Sequence, residues 1–163
     1  NTVHHPAVTT KMHMAQAVGC APIVTAWANG NPHVSPVRPD TIAKSLAIGN
    51  PADGIYAIRI LRESDGSAYA VPEHDVVEGI KLLAETEGIF TETAGGVTVS
   101  ALKNLADSGA IKPDELTVVY ITGNGLKTQE AVEDVVNPLH IKPSMGAFED
   151  VIGQRISGLV VGG

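Results

Sequence analysis

The chain has 163 residues, the length of one ordinary domain, and we expect residues 1–163 to form a single domain with a flexible start over 1–11. Hydrophobic residues make up 44%, charged residues 18% and aromatic residues 4%, which argues against disorder and against a stacking surface for nucleic acid. The net charge of −7 also argues against broad contact with a phosphate backbone, so we expect no nucleic-acid partner.

The first part of the chain alternates short strands with helices. Alternating side chains predict a strand at 13–18, and a helix is expected at 21–28. The prolines of 29–40 indicate a loop, and a short helix is expected at 41–48.

A third helix is predicted to start at a cap formed by Asn50, with Pro51 in the first helical position, and to run to about Ser64. After a short strand at 67–71, the clearest helix covers 73–87 because its apolar residues recur at helical spacing. Val76, Ile80, Leu83 and Ala84 fall on one face of this helix, and Gly88 ends it.

Glycines and one apolar run organise the second part of the chain. Gly95 and Gly96 are predicted to open a helix that Gly109 closes. The run 116–121, which ends at Thr122, predicts a central parallel strand that is buried on both faces. The remaining predicted elements are a helix near 128–136 and an extended piece followed by a helix over 138–156.

This order predicts an α/β fold with an open, twisted, mostly parallel sheet and helices on both faces. Ligands of such sheets bind outside the carboxyl ends of the strands. Two stretches suit such a position, Thr93-Ala94-Gly95-Gly96 and Thr122-Gly123-Asn124-Gly125, because glycine lets the backbone approach a ligand closely. For either stretch alone, an ordinary turn is the more common interpretation.

Other ligand classes lack support in the sequence. The phosphate-loop motif is absent, and the dinucleotide motif G-x-G-x-x-G fails because residue 128 is threonine. The six histidines have no metal-ligand spacing, so we expect no metal site.

The single cysteine, Cys20, excludes an internal disulfide, fits a reducing compartment and is interpreted as a buried structural thiol. No apolar run approaches the roughly 20 residues of a membrane span, and no signal peptide is visible, so we expect a cytoplasmic protein without membrane contact. The chain does not begin with Met, which indicates processing or a longer parent chain.

Three segments, in this order and at this spacing, resemble threonine synthase, a pyridoxal-phosphate (PLP) enzyme of the tryptophan-synthase-β-like fold. They are SLAIGNPADGIYAIRILRES (45–64), EGIFTETAGGVTVSALKNL (87–105) and VVYITGNGLKT (118–128). The segment QAVGCAPIVTAW (16–27) is similar to the family's preceding strand and helix. The resemblance implies part of a fold-type II large domain, pyridoxal 5'-phosphate as cofactor, and conversion of O-phospho-L-homoserine and water to L-threonine and phosphate. That reaction belongs to the carbon–oxygen lyases acting on phosphates.

The resemblance also assigns residues to the cofactor pocket. It implies that the Thr122 hydroxyl meets the pyridine nitrogen of PLP and that Gly123 lets the backbone turn beneath the ring. The pocket would also be lined by the backbone of Ala94, Gly95 and Gly96, and its substrate side by Ile48, Gly49, Asn50 and Pro51. The family usually has proline where this chain has Thr93, which predicts a looser pocket.

The family's Schiff-base lysine and its glycine-rich loop for the PLP phosphate precede the region that is similar here. None of the seven lysines of this chain lies in that motif, so we expect no catalytic lysine and an inactive isolated chain. The implied partners are an amino-acid substrate, the missing N-terminal half of the enzyme and, from the family's habit, a second copy in a homodimer. Two alternatives remain: a non-catalytic fragment or partner domain, and a PLP enzyme similar to threonine or serine dehydratase. The segments IGNPADG and TGNGLKT favour threonine synthase over the dehydratase.

Overall fold

A computed structural model describes residues 10–136 and 139–160, with the backbone alone for 154–160. The strands are β1 (Met14–Ala17) and β2 (Ala68–Val71). The helices are α1 (Pro22–Ala28), α2 (Gly54–Glu63), α3 (Glu73–Glu87), α4 (Thr93–Asp107), α5 (Glu133–Val136) and α6 (Met145–Val160). Short 3-10 turns lie at Val18–Cys20, Lys44–Leu46, Gly125–Lys127 and Gln129–Val132.

The chain divides into two compact units. One extends to Ala131 and contains both strands and α1 to α4, and the other begins at Val132 and contains α5 and α6. A single domain over 1–163 stays a prediction, and most of the expected flexible start, 1–11, lies outside the described residues.

The two strands pair in parallel, with Met14 opposite Ala68 and Ala17 opposite Val71. Alternate side chains of a strand point to opposite faces of the sheet. On one face, the core residues are Ala17, Val71, Val76, Val97 and Ala101, so α3 and α4 cover this side. On the other face, Met14 packs with Ile23, Ala26 and Ile58 of α1 and α2. Helices therefore lie on both faces, which confirms the predicted α/β class.

Local patterns located several elements correctly. The predictions of β1, β2, α1 and α3 agree with the structure to within a residue or so at each end. The backbone of Gly88 is left-handed, with φ 68°, and its N–H donates to Ala84 O, as expected for a glycine that ends a helix. Helix α4 begins at Thr93, two residues before the predicted glycine pair.

Two predicted helix positions are wrong. Only the turn Lys44–Leu46 forms within 41–48, because the Glu73 carboxylate accepts from the backbone N–H of Ile42 and from the Thr41 hydroxyl. Helix α2 begins at Gly54, because residues 50–53 form a turn in which Pro51 O accepts from Gly54 N.

The predicted buried strand at 116–121 is also wrong. This segment has no regular secondary structure, and Leu116 and Tyr120 are 96% and 76% exposed. A strand requires a hydrogen-bonded neighbour, and no described strand lies beside this segment. Its apolar residues therefore form surface in this structure.

The predicted helix near 128–136 consists of the turn Gln129–Val132 and the short helix α5. Residues 139–144 have no helix or strand, and α6 follows, as predicted for the part of 138–156 within the described residues. None of the helices in the described ranges is both long and apolar enough to cross a membrane.

Candidate functional site

Two backbone segments distant in sequence pair beside the first turn of α4. Thr91 and Asn124 form an isolated antiparallel bridge, and Gly125 N donates to Phe90 O at 3.0 Å. Glu92 N donates to Gly123 O at 3.4 Å. The start of α4 is thereby joined to the turn that follows the exposed segment.

The Glu92 carboxylate lies at the centre of this junction. Glu92 is 3% exposed, and its Oε2 accepts a 2.6 Å hydrogen bond from the Ser45 hydroxyl. The Lys127 ammonium lies 3.0 Å from Oε1 and 3.0 Å from Oε2. Both oxygens are therefore paired, as a buried carboxylate requires.

This pairing sets the charge of Glu92. The Ser45 hydrogen bond lowers the pKa of Glu92 below its ordinary value of 4.5, and Lys127 lowers it further, while burial acts in the opposite direction. The carboxylate is consequently ionised at neutral pH, and the Lys127 charge balances it.

Gly123 is required by two independent constraints. Its φ of 74° lies in the left-handed region that disfavours other residues, and an added Cβ would lie 1.9 Å from Glu92 Oε1. The Thr91 hydroxyl also donates to Gly123 O at 3.3 Å. The backbone of Gly123 therefore lies directly against the buried carboxylate.

Thr93, where the family usually has proline, is tied to the junction by its backbone, and the looser pocket stays a prediction. Its N–H donates to Thr128 Oγ1 at 3.1 Å, and both residues are buried. The N–H that proline would lack is thus used to bind the turn. The hydroxyl of Thr93 behaves differently: it alone, among fully buried side-chain polar atoms of the described residues, has no hydrogen-bond partner.

The residues after Thr93 are packed against protein. Ala94, Gly95 and Gly96 are all buried. A Cβ on Gly95 would lie 1.9 Å from Thr91 Oγ1, and one on Gly96 would lie 2.3 Å from Val76 O of α3. The structure therefore gives both glycines a close-packing role, and their contact with a cofactor stays a prediction.

Thr122 is exposed, and no hydrogen bond of the described residues involves its side chain or backbone. Its hydroxyl is available to a ligand one residue before the constrained Gly123.

The predicted substrate-side residues lie on a loop that Ser45 connects to the junction. Ile48 and Asn50 are exposed, whereas Gly49 and Pro51 are half-buried. Gly49 O accepts from Val37 N at 2.9 Å, and a Cβ on Gly49 would lie 1.9 Å from Val37 O. The loop is thus fixed on one side and open on the other.

Four residues that pair at the junction were not predicted from the sequence: Ser45, Glu92, Lys127 and Thr128. One signal in the sequence could have found two of them. Glu92 stands directly before an apolar helix start, where a buried carboxylate would need a cation, and Lys127 follows the second glycine stretch by two residues. Cys20 is buried, and burial raises the pKa of its thiol, which fits a structural role. Within the described ranges, no group of three His, Cys, Asp or Glu residues is placed to hold a metal.

The chain is similar in sequence and in fold to pyridoxal-phosphate dependent enzymes. The family described as pyridoxal-phosphate dependent enzyme matches residues 3–123. The threonine synthases of Methanosarcina acetivorans and Methanocaldococcus jannaschii are each 37% identical over 144 residues, covering 87% of this chain and 36% of the relative. The chain thus spans about a third of the length of these relatives. The crystal structure of Escherichia coli threonine synthase superposes with a TM-score of 0.60 and 18% identity, over 82% of this chain and 31% of the other, and supports the fold.

Proposed function

The chain belongs to the pyridoxal-phosphate dependent enzyme family, and we propose that it forms one wall of the cofactor and substrate site of a threonine synthase. The observation that carries the proposal is the junction at Gly123. There an exposed threonine, without a hydrogen-bond partner among the described residues, precedes a glycine whose backbone lies against the buried carboxylate of the Glu92–Lys127 ion pair.

The residues at this junction fit the cofactor. Thr122 presents an exposed hydroxyl that has no hydrogen-bond partner among the described residues, and Gly123 beside it is held in place by Glu92. The Thr93 hydroxyl, which also lacks a partner within the described part of the chain, lies at the first position of α4. When bound, PLP supplies an electron sink for the reacting amino acid.

In the proposed site, the Thr122 hydroxyl would hold the ring nitrogen by a hydrogen bond. A hydroxyl, unlike a carboxylate, would leave that nitrogen largely without a proton and so limit transamination as a side reaction. The pairing of Glu92 with Lys127 supports this role, because it balances the charge of the carboxylate that lies against Gly123.

The substrate-side wall is formed by the loop from Ile48 to Pro51, whose exposed side is open to a small amino acid. The proposed overall reaction is O-phospho-L-homoserine plus water to L-threonine plus phosphate. The Schiff-base lysine would come from the part of the enzyme that this chain does not contain, so we expect the isolated chain to be inactive. We further propose a cytoplasmic location and assembly as a homodimer.

A chimera tests this function. The chain replaces the corresponding region of the Methanosarcina acetivorans threonine synthase, and release of threonine and phosphate from O-phospho-L-homoserine is measured. We expect both products in equal amounts, with less in a matched Thr122→Val chimera. A chimera that binds PLP but converts threonine to a keto acid would indicate a dehydratase instead. A folded chimera without PLP binding would indicate a non-catalytic domain.

A further inference from the structure

One carboxylate touches all three segments that the proposed function places around the ligands. Glu92 stands at the start of α4, binds Ser45 from the turn that leads into the substrate-side loop, and binds Lys127 from the turn after Gly123. We call Ser45, Glu92, Gly123 and Lys127 the Glu92 cluster.

The contacts of the cluster are directional as well as electrostatic. Ser45 approaches Oε2, while the Gly123 backbone lies against Oε1 so closely that no side chain would fit there. A shift of the carboxylate would therefore displace Gly123 on one side and Ser45 on the other. The close contact at Oε1 leaves no space for the carboxylate to move toward Gly123 without displacing its backbone.

Burial separates this arrangement from the exposed ion pairs of the described residues, which include the long-range pair Lys44–Glu130 as well as pairs within one helix. Arg59–Glu63 joins neighbouring turns of α2, and Lys103–Asp107 joins neighbouring turns of α4. All four side chains are exposed. Exposed pairs of that kind add little to stability, and a pair within one helix fixes no tertiary geometry. Glu92 is instead buried and joins residues 47 and 35 positions away.

We propose that Glu92 is a positioning residue that couples the two sides of the site. Through Gly123 it sets the place of Thr122, and through Ser45 it sets the loop from Ile48 to Pro51. The proposal rests on the proposed function for what the two sides bind. The coupling itself is a property of this chain alone.

Hydrogen exchange on the chain tests the coupling without any cofactor. In Glu92→Gln, we expect amide exchange to rise about tenfold at both 123–125 and 48–50, and to stay unchanged in α3, because a hydrogen bond to a charged group is lost locally. Lys127→Met, at a side chain that is 59% exposed, is the second variant and removes the same ion pair without truncating a buried residue. Asp107→Asn is the matched control and should change neither segment.

Faster exchange at 123–125 alone, or at neither segment, would overturn the coupling. A uniform rise throughout the fold would also overturn it, because it would show a general loss of stability. In the chimera, Glu92→Gln should weaken PLP affinity and raise the KM for the phosphorylated substrate together, and Glu92→Asp should partly restore both. A chimera that binds no PLP at all would contradict the proposed function but leave the exchange result standing.

Discussion

At the scale of single residues, Glu92 and Thr93 show how the start of a helix can be used for tertiary contacts. The two residues offer a carboxylate and a backbone N–H, and each pairs with a residue of the turn 123–128. Neither pairing is local in sequence. The consequence is that stability and geometry at this point depend on the same few polar contacts.

The charge of Glu92 predicts an acid-sensitive contribution to stability. Its pKa is lowered in the folded chain from the ordinary value of 4.5, so the unfolded chain binds more protons near that pH. The contribution is fully present above 4.5 and is lost as the pH falls below 4.5 through the folded pKa. Glu92→Gln should therefore lower the free energy of unfolding at pH 7 and approach the unmodified chain at acid pH.

Urea unfolding between pH 7 and pH 3 measures this difference, with Glu85→Gln at an exposed helix position as the control. If the difference in unfolding free energy between Glu92→Gln and the unmodified chain stays constant with pH, then ionisation of the Glu92 carboxylate does not contribute to stability.

The hydrogen bond from Thr93 predicts an effect of Thr128. Thr128→Val keeps the shape of the side chain but leaves the buried N–H of Thr93 unpaired, which should cost about 1–3 kcal/mol of unfolding free energy. Thr128→Ser keeps the hydroxyl and should cost much less. Thr86→Val, at an exposed position of α3, is the matched control and should change stability by less than about 0.5 kcal/mol. Equal losses for Thr128→Val and Thr128→Ser would show that packing, not the hydrogen bond, matters.

Thr122 is predicted to act on the cofactor and not on the fold. In the chimera, Thr122→Ser should keep most of the PLP affinity, and Thr122→Val should lose about 1–3 kcal/mol of binding free energy if the ring nitrogen is left unpaired. Because Thr122 is exposed and no described residue bonds to it, the melting temperature should not change. A fall in melting temperature with unchanged PLP affinity would contradict the assigned role.

At the scale of elements, helices were predicted correctly where a regular apolar face and residues typical of helix ends determine their bounds. Helix α3 has both a regular apolar face and a closing glycine, and its bounds were predicted correctly. The start of α2 was not, although Asn50 and Pro51 are good local signals. There the turn at 50–53 took precedence over the local preference for a helix. The helix predicted at 41–48 does not form for a similar reason. The backbone N–H of Ile42 donates to the carboxylate of Glu73, which belongs to another element.

The contact between α3 and α4 depends on glycines. Gly79 and Gly96 face each other so that a Cβ on either would lie 2.3 Å from a carbonyl oxygen of the other helix. Gly96→Ala should therefore force the helices apart and lower the unfolding free energy by about 1–3 kcal/mol. Gly153→Ala is the control, because a Cβ there meets nothing within 4 Å and alanine favours a helix by about 1 kcal/mol. Urea unfolding measures both variants. A neutral Gly96→Ala would show that the crossing can relax.

At the scale of the whole molecule, the sequence predicted a position for the candidate site but not the contacts within it. Resemblance assigned Thr122, Gly123 and the start of α4 to the site because each lies in a contiguous motif, and this assignment stays a prediction. The Glu92 cluster was not predicted, because Ser45 and Lys127 lie 47 and 35 positions from Glu92 in the sequence. Only the fold brings these residues together. The predicted strand at 116–121 failed for a related reason, since pairing depends on a neighbour that no local pattern supplies.

That segment determines how the isolated chain should behave. Leu116, Val118 and Tyr120 are exposed, and no hydrogen bond of the described residues involves 116–122. Unpaired backbone and β-branched or aromatic side chains make such a segment prone to strand addition. Since the chain spans about a third of its relatives, we propose that a strand from the remaining part of the enzyme pairs with 116–121.

We therefore expect the isolated chain to self-associate and the double variant Val118→Lys/Tyr120→Glu to remain dispersed, as measured by sedimentation velocity. Its unfolding free energy should change by less than about 0.5 kcal/mol, because both side chains are exposed in this chain. The same double variant in the chimera should fold poorly, because a charge would be buried against the added strand. The control Ile55→Lys/Ile60→Glu places the same charges on exposed apolar positions of α2. If that control disperses the chain equally well, or if the chimera tolerates charges at Val118 and Tyr120, then the segment 116–121 is not the surface that receives the rest of the enzyme.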